Sequence, residues 1–336
     1  MTGPMWLADF WAAVIAFAIL MYVILDGYDL GVGILFGTIR NEQHRATMMG
    51  AIAPYWDGNE TWLVLIGAGL FAAFPMVYAI FLPAFYLPVA LMLFGIAFRG
   101  VAFEFRERSS GMRPVWDQGF FIGSLIIAFV QGAAIGAMVQ ELHVVDARYA
   151  GGGFDWVTPF AIFCRIGAVL GYALLGAAWL VLKTDGELRD WAYRRLPWLL
   201  GGVVAVLMIV FVYALVKQLH VFDRWSTHPV LLLLPLAAGL AIGGLVLGVR
   251  QRRDGLPFAM AVVAVAFSFL TLAASFWPYM IPYTVTVEDA AAPPQSLEFF
   301  FWGGGLVVFP IVLIYTAAVF WIFRGKVGKV AQEYGA

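Results

Sequence analysis

The chain has 336 residues, of which 63% are hydrophobic and only 12% are charged. Soluble domains are near half apolar and a quarter charged, so this composition excludes an ordinary soluble protein. The 20 lysines and arginines nearly balance the 21 acidic residues, which argues against a nucleic-acid-binding surface. The sequence predicts an all-α polytopic membrane protein with one integral membrane domain over residues 1–336.

Nine stretches are apolar over the roughly 20 residues that a membrane-spanning helix requires. In chain order they are residues 7–36, 51–74, 76–105, 119–139, 158–182, 198–216, 229–249, 257–277 and 299–323. Only Phe74 and Pro75 separate the second stretch from the third, so this boundary is the least defined. The Pro-rich connection 278–298 is expected to have no helix of its own.

Positive charge is distributed unequally between the two sides of the predicted bundle. Most lysines and arginines fall in the connections after spans 1, 3, 5 and 7 and in the C-terminal tail. The opposite side has only Arg148, Lys217 and Arg224. Because cytoplasmic loops are enriched in Lys and Arg, we expect the N-terminus outside and the C-terminus in the cytoplasm.

Two pairs of acidic residues lie inside predicted spans, where ionisable side chains are costly and usually functional. The first span contains Asp26 and Asp29, and the second contains Asp57 and Glu60. A spacing of three puts each pair on one helix face. The helical rise of about 1.5 Å per residue predicts that the four acids form two pairs at two depths from the cytoplasmic end. Asp29 and Asp57 form the shallower pair, called the lower rung, and Asp26 and Glu60 form the deeper pair, called the upper rung. Arg99 in the third span should lie level with the lower rung and act as its counter-charge.

Glycines accompany the first acidic pair. Gly27 and Gly31 are four residues apart, and Gly33 follows two residues later. Such small-residue spacing lets another helix backbone approach closely. We therefore expect the acidic side chains to face a protein-lined gap and not lipid.

The acidic cluster has two interpretations. In the first, Arg99 and neighbouring donors satisfy the carboxylates, and the cluster only locks three helices together. In the second, one arginine cannot neutralise four acids, so a carboxyl kept protonated by burial and repulsion passes protons inward from the cytoplasm. Asp57 is the first choice for that role, followed by Glu60 and Asp29.

Arg165 is a second ionisable residue within a predicted span. The nearest acid on the same side is Glu141, at the end of span 4, and an ion pair between the two is one expectation. A contact with an anionic group of a partner is the other. The sequence does not choose between them.

The chain offers few ligands for a redox metal. A haem in a helical bundle usually takes an axial histidine from within a span. The four histidines lie in loops or at span ends: His44, His143, His220 and His228. The single cysteine, Cys164, excludes a thiolate metal cage. We expect no metal to be held by side chains of this chain.

Five motifs, in order along nearly the whole chain, resemble subunit II of cytochrome bd-type quinol oxidases. They are Leu25–Gly33 (LDGYDLGVG), Pro54–Leu63 (PYWDGNETWL), Phe98–Arg106 (FRGVAFEFR), Gly171–Thr184 (GYALLGAAWLVLKT) and Phe276–Tyr279 (FWPY). The modest chain length is similar to that of the cyanide-insensitive type of the family. The resemblance implies a complex in the bacterial cytoplasmic (inner) membrane that oxidises quinol and reduces oxygen to water in aerobic respiration.

The resemblance also implies a fold, partners and cofactors. The fold is two four-helix bundles plus a peripheral ninth helix, packed against a haem-bearing subunit I that holds two haems b and one haem d. Some members hold a structural quinone in this subunit, and some complexes include a small single-span accessory subunit. Membrane quinol and lipids are further expected partners. The position matching Asp57 is the family's proposed entrance to a cytoplasmic proton channel, and Glu60 departs from the Gln common in longer relatives.

Two rival functions remain open at this level. An ion-coupled secondary transporter would also need intramembrane carboxylates beside glycine-rich segments. Against it, the acids gather near the cytoplasmic third of the membrane, and no internal repeat is visible. A subunit serving only as a structural scaffold would explain the same residues without proton conduction.

Overall fold

The structure is a computed structural model that describes residues 5–106, 108–109, 111–216 and 221–328. Three residues named above lie outside the described residues: Lys217, His220 and, in the C-terminal tail, Lys329. The helices are α1 (Met5–Phe36), α2 (Glu42–Ile52), α3 (Trp56–Ala73), α4 (Pro75–Ala84), α5 (Tyr86–Arg106), α6 (Arg113–Val139), α7 (Pro159–Lys183), α8 (Gly186–Val216), α9 (Val221–Thr227), α10 (Leu233–Arg250), α11 (Gly255–Phe276), α12 (Val287–Ala290), α13 (Pro294–Phe300) and α14 (Phe309–Ile322). A 3₁₀ turn (Pro229–Leu232) precedes α10, and a π-helix (Phe301–Val308) joins α13 to α14.

Eight helical segments in the described part of the chain are long and apolar enough to cross a membrane. The predicted all-α, polytopic membrane architecture is therefore confirmed. The predicted second span corresponds to α3, which is not among the eight because its first turns contain Asp57, Asn59 and Glu60. Its start at residue 51 was wrong, since α2 ends at Ile52 and α3 begins only after Pro54.

The predicted third span is divided between α4 and α5, which meet at Phe85. Pro83 inside α4 and Pro88 near the start of α5 each lack the amide hydrogen that helix continuation needs. Only α5 is long enough to cross a membrane by itself. The break explains why an apolar stretch of this length is not one straight helix.

The connection 278–298 contains more structure than expected. It forms an antiparallel hairpin of β3 (Tyr279–Ile281) and β4 (Val285–Thr286), followed by α12 and α13. A capping box starts α12, with Thr286 and Asp289 bonding each other's backbone amides. This Thr-x-x-Asp signature was visible in the sequence. A second hairpin, β1 (Val144–Val145) and β2 (Arg148–Tyr149), lies between α6 and α7.

The central helix is α1, which packs against α3, α6, α7 and α11. Its approach to α7 is backbone against backbone: a Cβ placed on Gly31 would lie 1.8 Å from the Tyr172 carbonyl oxygen. One placed on Gly176 would lie 2.4 Å from the Gly31 carbonyl carbon. The predicted close approach at Gly27 and Gly31 is confirmed, and its partner is α7.

One end of the bundle gathers most of the arginines and is called here the arginine-rich end. It contains the C-termini of α1, α5, α7, α10 and α14 and the N-termini of α3, α6, α8 and α11. The Asp117 carboxylate accepts from Arg106 Nε at 2.5 Å and from Arg45 Nη1 at 2.6 Å. The buried Lys183 ammonium donates to the Phe323 carbonyl and the Tyr55 hydroxyl, both at 2.7 Å. These contacts hold the helix ends together.

Asp254 joins three parts of this end, since it accepts from Lys326 Nζ at 2.6 Å, the Tyr193 hydroxyl at 3.0 Å and Arg189 Nη1 at 3.4 Å. Partial burial opposes its ionisation. The hydrogen bonds from Lys326 and Tyr193 and the nearby positive charges outweigh burial and hold the pKa of Asp254 below its usual range.

Asp254→Asn is expected to lower the stability of the protein by about 1 kcal/mol at neutral pH, because the ion pairs are partly exposed. A carboxyl with a lowered pKa stabilises the fold above about pH 4 and loses that contribution as the pH falls through the lowered value. Thermal melting of both proteins over a pH series should show a difference that disappears in acid. A constant difference would contradict the electrostatic origin.

Candidate intramembrane acidic site

Arg99 lies at the centre of the candidate site, where α1, α3 and α5 meet. Its Nη1 donates to Asp26 Oδ1 at 2.8 Å and lies 3.2 Å from Glu60 Oε1. The Arg99 and Asp26 side chains are 1% and 0% exposed, whereas that of Glu60 is 18% exposed. One guanidinium nitrogen therefore serves two carboxyls that differ in access to the surface.

Asp29 is fully buried and has a neutral partner. The Asn59 amide nitrogen lies 2.7 Å from Asp29 Oδ2, 2.8 Å from the Tyr28 hydroxyl and 3.2 Å from the Leu25 carbonyl oxygen. An amide nitrogen has two hydrogens, so these three acceptors compete for them. Asn59 thus ties α3 to the acidic segment of α1 without supplying a positive charge.

Of the two predicted pairs of acids, only the upper rung is formed. Asp26 and Glu60 meet at Arg99, as their matched depth predicted, but Asp57 is exposed and Asp29 contacts Asn59. The expectation that Arg99 lies level with the lower rung was wrong. Counting helical rise located the Cα atoms but ignored the length and direction of the side chains.

Helix direction explains the position of the Arg99 side chain. The Cα–Cβ bonds of an α-helix tilt towards its N-terminus. Because α5 runs towards the arginine-rich end, Arg99 reaches away from that end and deeper into the bundle. α3 runs the opposite way, so Glu60 reaches back towards the same level. The two side chains converge although their Cα atoms differ in depth.

Several buried polar atoms of the site have no hydrogen-bond partner among the described residues. They are Asp26 Oδ2, Asp29 Oδ1, Glu60 Oε1, Arg99 Nη2 and Trp62 Nε1. An unsatisfied buried polar atom costs about 1–3 kcal/mol, so such atoms attract water or, for carboxyls, a proton. With Asp26, Asp29 and Glu60 around one arginine, negative charge is in excess.

A chain of three polar side chains extends from the site to α6 and α7. The Gln131 amide nitrogen donates to the Tyr22 hydroxyl at 3.0 Å, and the Tyr172 hydroxyl donates to the Gln131 amide oxygen. Tyr172 packs against α1 next to Asp26, since a Cβ placed on Gly27 would lie 2.8 Å from its ring. Sequence reasoning missed these residues, although Tyr22 is one turn before Asp26 and Gln131 is polar in an apolar helix.

Arg165 is 4% exposed. Its Nη2 donates to the Trp156 carbonyl at 2.6 Å, and its guanidinium lies 4.9 Å from the Trp156 ring and 5.0 Å from that of Phe129. Among the described residues Arg165 forms no ion pair, so the expected pair with Glu141 is not formed. The carbonyl and the two ring faces take its place.

The described histidines lie outside the eight apolar helices. His44 is in α2, His143 precedes β1, and His228 precedes the 3₁₀ turn before α10. The described part of the chain has no group of three His, Cys, Asp or Glu residues that could hold a metal ion. It offers no axial imidazole within the bundle for a haem.

Comparison with known proteins identifies a family that matches nearly the whole chain. The family described as cytochrome bd terminal oxidase subunit II matches residues 7–323. The chain is 29% identical over 360 residues to cytochrome bd-I ubiquinol oxidase subunit 2 of Escherichia coli (strain K12), covering 95% of this chain and 94% of the relative. It is 28% identical over 333 residues to cytochrome bd ubiquinol oxidase subunit 2 of Bacillus subtilis (strain 168), covering 96% and 97%.

A solved structure shares the fold. The bd oxidase from Geobacillus thermodenitrificans contains a chain that superimposes with a TM-score of 0.72 at 18% identity, covering 92% of this chain and 97% of that chain. The family match includes α1, α3 and α5, whose acidic residues and arginine form the site. A multi-pass membrane chain matched by this family over nearly its whole length belongs to the cytochrome bd terminal oxidase subunit II family and is a subunit of an oxidoreductase complex.

Proposed function

We propose that this chain supports the haem-bearing subunit I of a bd-type quinol oxidase and delivers cytoplasmic protons for the reduction of oxygen to water in aerobic respiration. The observation that carries the proposal is the buried excess of acidic groups around Arg99 in a chain of this family. Membership of an oxidase family argues against the transporter alternative. A purely structural role remains the competing outcome of the experiment below.

The proposed topology has nine spans in one domain over residues 1–336, with α3 as the span missing from the eight apolar helices. It comprises two four-helix bundles and a peripheral ninth helix that contains α14. The arginine-rich end faces the cytoplasm of a bacterial inner membrane, with the N-terminus outside, because cytoplasmic connections are enriched in Arg and Lys. Asp57 and Glu60 then lie near the cytoplasmic end of α3.

The proposed proton path starts at Asp57 and continues to Glu60, one turn further along α3. Asp57 is exposed and accessible, whereas Glu60 is mostly buried against Arg99. Asp26 and Asp29 lie behind them and are fully enclosed. Exposure thus decreases stepwise from Asp57 inward, as a path that begins at the surface requires.

The partner subunit is proposed to cover the outer face of α3. That face exposes the carboxylate of Asp57 together with Val64 (69% exposed) and Phe71 (65% exposed). A charged side chain facing lipid is costly, so a protein surface is the better neighbour. Subunit I is also where the two haems b and the haem d are proposed to lie, since α1 to α14 offer no in-span histidine among the described residues.

An apolar cavity of about 230 Å³ lies between α1, α3 and the π-helix that leads into α14. Trp11, Leu65, Phe300 and Phe309 are among its lining side chains, and Thr61 is the polar contributor. This lining suits a hydrocarbon chain. The apolar cavity supports the proposal that a structural quinone or a lipid binds in this subunit. Substrate quinol and a single-span accessory subunit remain predictions from the family.

The test of the proton path is the oxidase activity of Asp57→Asn and Glu60→Gln in the purified complex. Both variants should lower oxygen consumption, and proton uptake in reconstituted vesicles, by at least about tenfold, a barrier increase of about 1.4 kcal/mol. Glu104→Gln is the control, because Glu104 is 55% exposed on α5 and its ion pair among the described residues is with the exposed Arg108. Unchanged rates in both variants, with normal haem content, would leave the structural role.

A further inference from the structure

Two adjacent arginines on α8 have no counter-charge within the chain. Arg194 and Arg195 are exposed, and neither forms an ion pair with the described residues. The acids at this end of the bundle are each beside another basic side chain. They pair as Asp185 with Lys326 (3.0 Å), Glu187 with His44 (3.7 Å), Asp190 with Arg252 (2.5 Å) and Asp254 with Lys326 (2.6 Å). The charge of the two arginines is therefore available to a ligand.

The two arginines belong to the face of α8 that points away from the bundle. Ala192 and Leu196, one turn apart, are completely buried and mark the inner face. Arg194 lies on the opposite side, and Trp198, one turn further, is 81% exposed. A charge and a large aromatic ring thus share the outer face, where α8 has no neighbouring helix among the described residues.

The arginine side chains are directed towards the membrane surface. α8 begins at the arginine-rich end, and the Cα–Cβ bonds of a helix tilt towards its N-terminus. The Arg195 guanidinium carbon lies 5.3 Å from the centroid of the Trp191 ring, one turn nearer that surface. An aromatic face holds the cation but occupies none of its N–H groups, which stay free for acceptor oxygens.

The position of the arginines along α8 matches the boundary of the hydrocarbon layer. From Arg195 to Val216 the helix is about 32 Å long at the usual rise per residue. The hydrocarbon core of a bilayer is about 30 Å thick, and residues 201–216 include no charged side chain. If that segment crosses the core, Arg194 and Arg195 lie at the level of the lipid headgroups.

Below the arginines the same face has a shallow recess. Trp198 projects on one side of it and Met208, which is 57% exposed, on the other. Between them lie Gly201 and Ala205, both exposed and both with little or no side chain. Nothing lies within 4 Å of a Cβ placed on Gly201. A recess lined by small apolar residues fits one hydrocarbon chain.

We propose that the outer face of α8 binds one anionic phospholipid, with its phosphate held by Arg194 and Arg195 and one acyl chain in the recess below Trp198. Guanidinium groups bind phosphate oxygens through paired N–H groups, and the net negative charge of the headgroup complements the two unpaired cations. In the proposed topology the lipid belongs to the cytoplasmic leaflet. The site uses no residue of the proposed proton path.

The order of side chains along the face favours a lipid over a protein segment. Positive charge occurs only at the membrane boundary, and the remaining length is apolar, which is the order of headgroup and hydrocarbon in a phospholipid. A protein partner would have to supply acidic groups at the boundary next to an apolar helix. The experiment below includes that outcome.

Native mass spectrometry of the purified, delipidated complex tests the site. The probes are dioleoyl phosphatidylglycerol, which is anionic, and dioleoyl phosphatidylcholine, which has the same acyl chains but no net charge. The wild type should bind one phosphatidylglycerol about thirtyfold more tightly than phosphatidylcholine, or about fivefold for each arginine. The double variant Arg194→Gln/Arg195→Gln should lose this preference.

The charge control is the double variant Arg108→Gln/Arg113→Gln. It removes the same two charges from the same end of the bundle, but there the arginines face Glu104 at 3.8 Å and Glu42 at 3.6 Å. This variant should keep the wild-type preference for phosphatidylglycerol. A loss as large as that of Arg194→Gln/Arg195→Gln would mean that net charge and not a site attracts the lipid.

Gly201→Leu tests the recess separately. Leucine is favoured over glycine in a helix and meets no neighbour there, so the fold is preserved. By filling the recess it should weaken binding of both lipids by about fourfold or more, the equivalent of one buried methylene group. Gly239→Leu is the matched control on α10, where a Cβ also has nothing within 4 Å, and should bind as the wild type does.

Several results would overturn the proposal. They are equal binding of the two lipids by the wild type, a preference that survives in Arg194→Gln/Arg195→Gln, and displacement of phosphatidylglycerol by inorganic phosphate, which would indicate a site for the free anion. Loss of a protein subunit from the arginine variant would make the face a subunit contact instead. Every readout is lipid binding, so failure of the proton path would leave these results unaffected.

Discussion

Arg99→Met is expected to destabilise the protein by about 3–5 kcal/mol, the typical cost of removing one partner of a buried ion pair. Methionine fills much of the volume but leaves Asp26 and Glu60 with no positive charge nearby. Their mutual repulsion and loss of solvation then act against folding. The measurement is the yield and thermal melting temperature of the haem-containing complex, which should both fall sharply.

Pairing this change with Asp26→Asn distinguishes charge from packing. The double variant removes one buried negative charge together with the arginine, so it should recover a substantial part of the lost stability. Arg108→Met is the control, because Arg108 is 74% exposed and lies 3.8 Å from Glu104, a pair worth about 0–1 kcal/mol. Equal losses in single and double variants would show that Arg99 acts by packing alone.

Gly31→Ala should destabilise the protein by about 3 kcal/mol or more, at the upper end of the usual range for overpacking. The added methyl would lie 1.8 Å from the Tyr172 carbonyl oxygen and 2.8 Å from the Gly176 amide nitrogen. Both obstacles are backbone atoms, so no side-chain rotation relieves the clash and α1 must move away from α7. Thermal melting of the assembled complex measures the loss.

Gly171→Ala provides a matched control on the facing helix. Gly171 is interior to α7, and nothing lies within 4 Å of a Cβ placed there. Alanine is favoured over glycine in helices by up to about 1 kcal/mol, so this variant should be neutral or slightly more stable. A similar loss at both positions would contradict the explanation by helix–helix contact.

Much of the candidate site was predictable from the sequence because charges in apolar stretches are rare. Asp26, Asp29, Asp57 and Glu60 were each identified by their position in a span, and matched depth brought Asp26 and Glu60 to one level. The contact of Arg99 with the upper rung was not predictable from depth alone. It depends on the opposite directions of α3 and α5, which turn their side chains towards each other.

Contacts between distant helices were the least predictable. Tyr22 and Gln131 are 109 residues apart, and their contact depends on α1 packing against α6. One of the two expectations for Arg165 was an ion pair with Glu141, but the loop before α7 folds back and presents the Trp156 carbonyl to its guanidinium. Such contacts depend on how chain segments return to one another, which residue spacing does not specify.

Composition and charge along the chain by themselves determined that this is a helical membrane protein with acids buried in its first spans. Each segment partitions between lipid and water largely according to its own side chains, so local sequence is sufficient for that result. Tertiary structure alone decided which two carboxyls pair with Arg99, which carboxyl remains accessible and which one is bonded to Asn59. These relations depend on the close backbone approach of α1 and α7 at their glycines and on the tilt of each side chain along its helix.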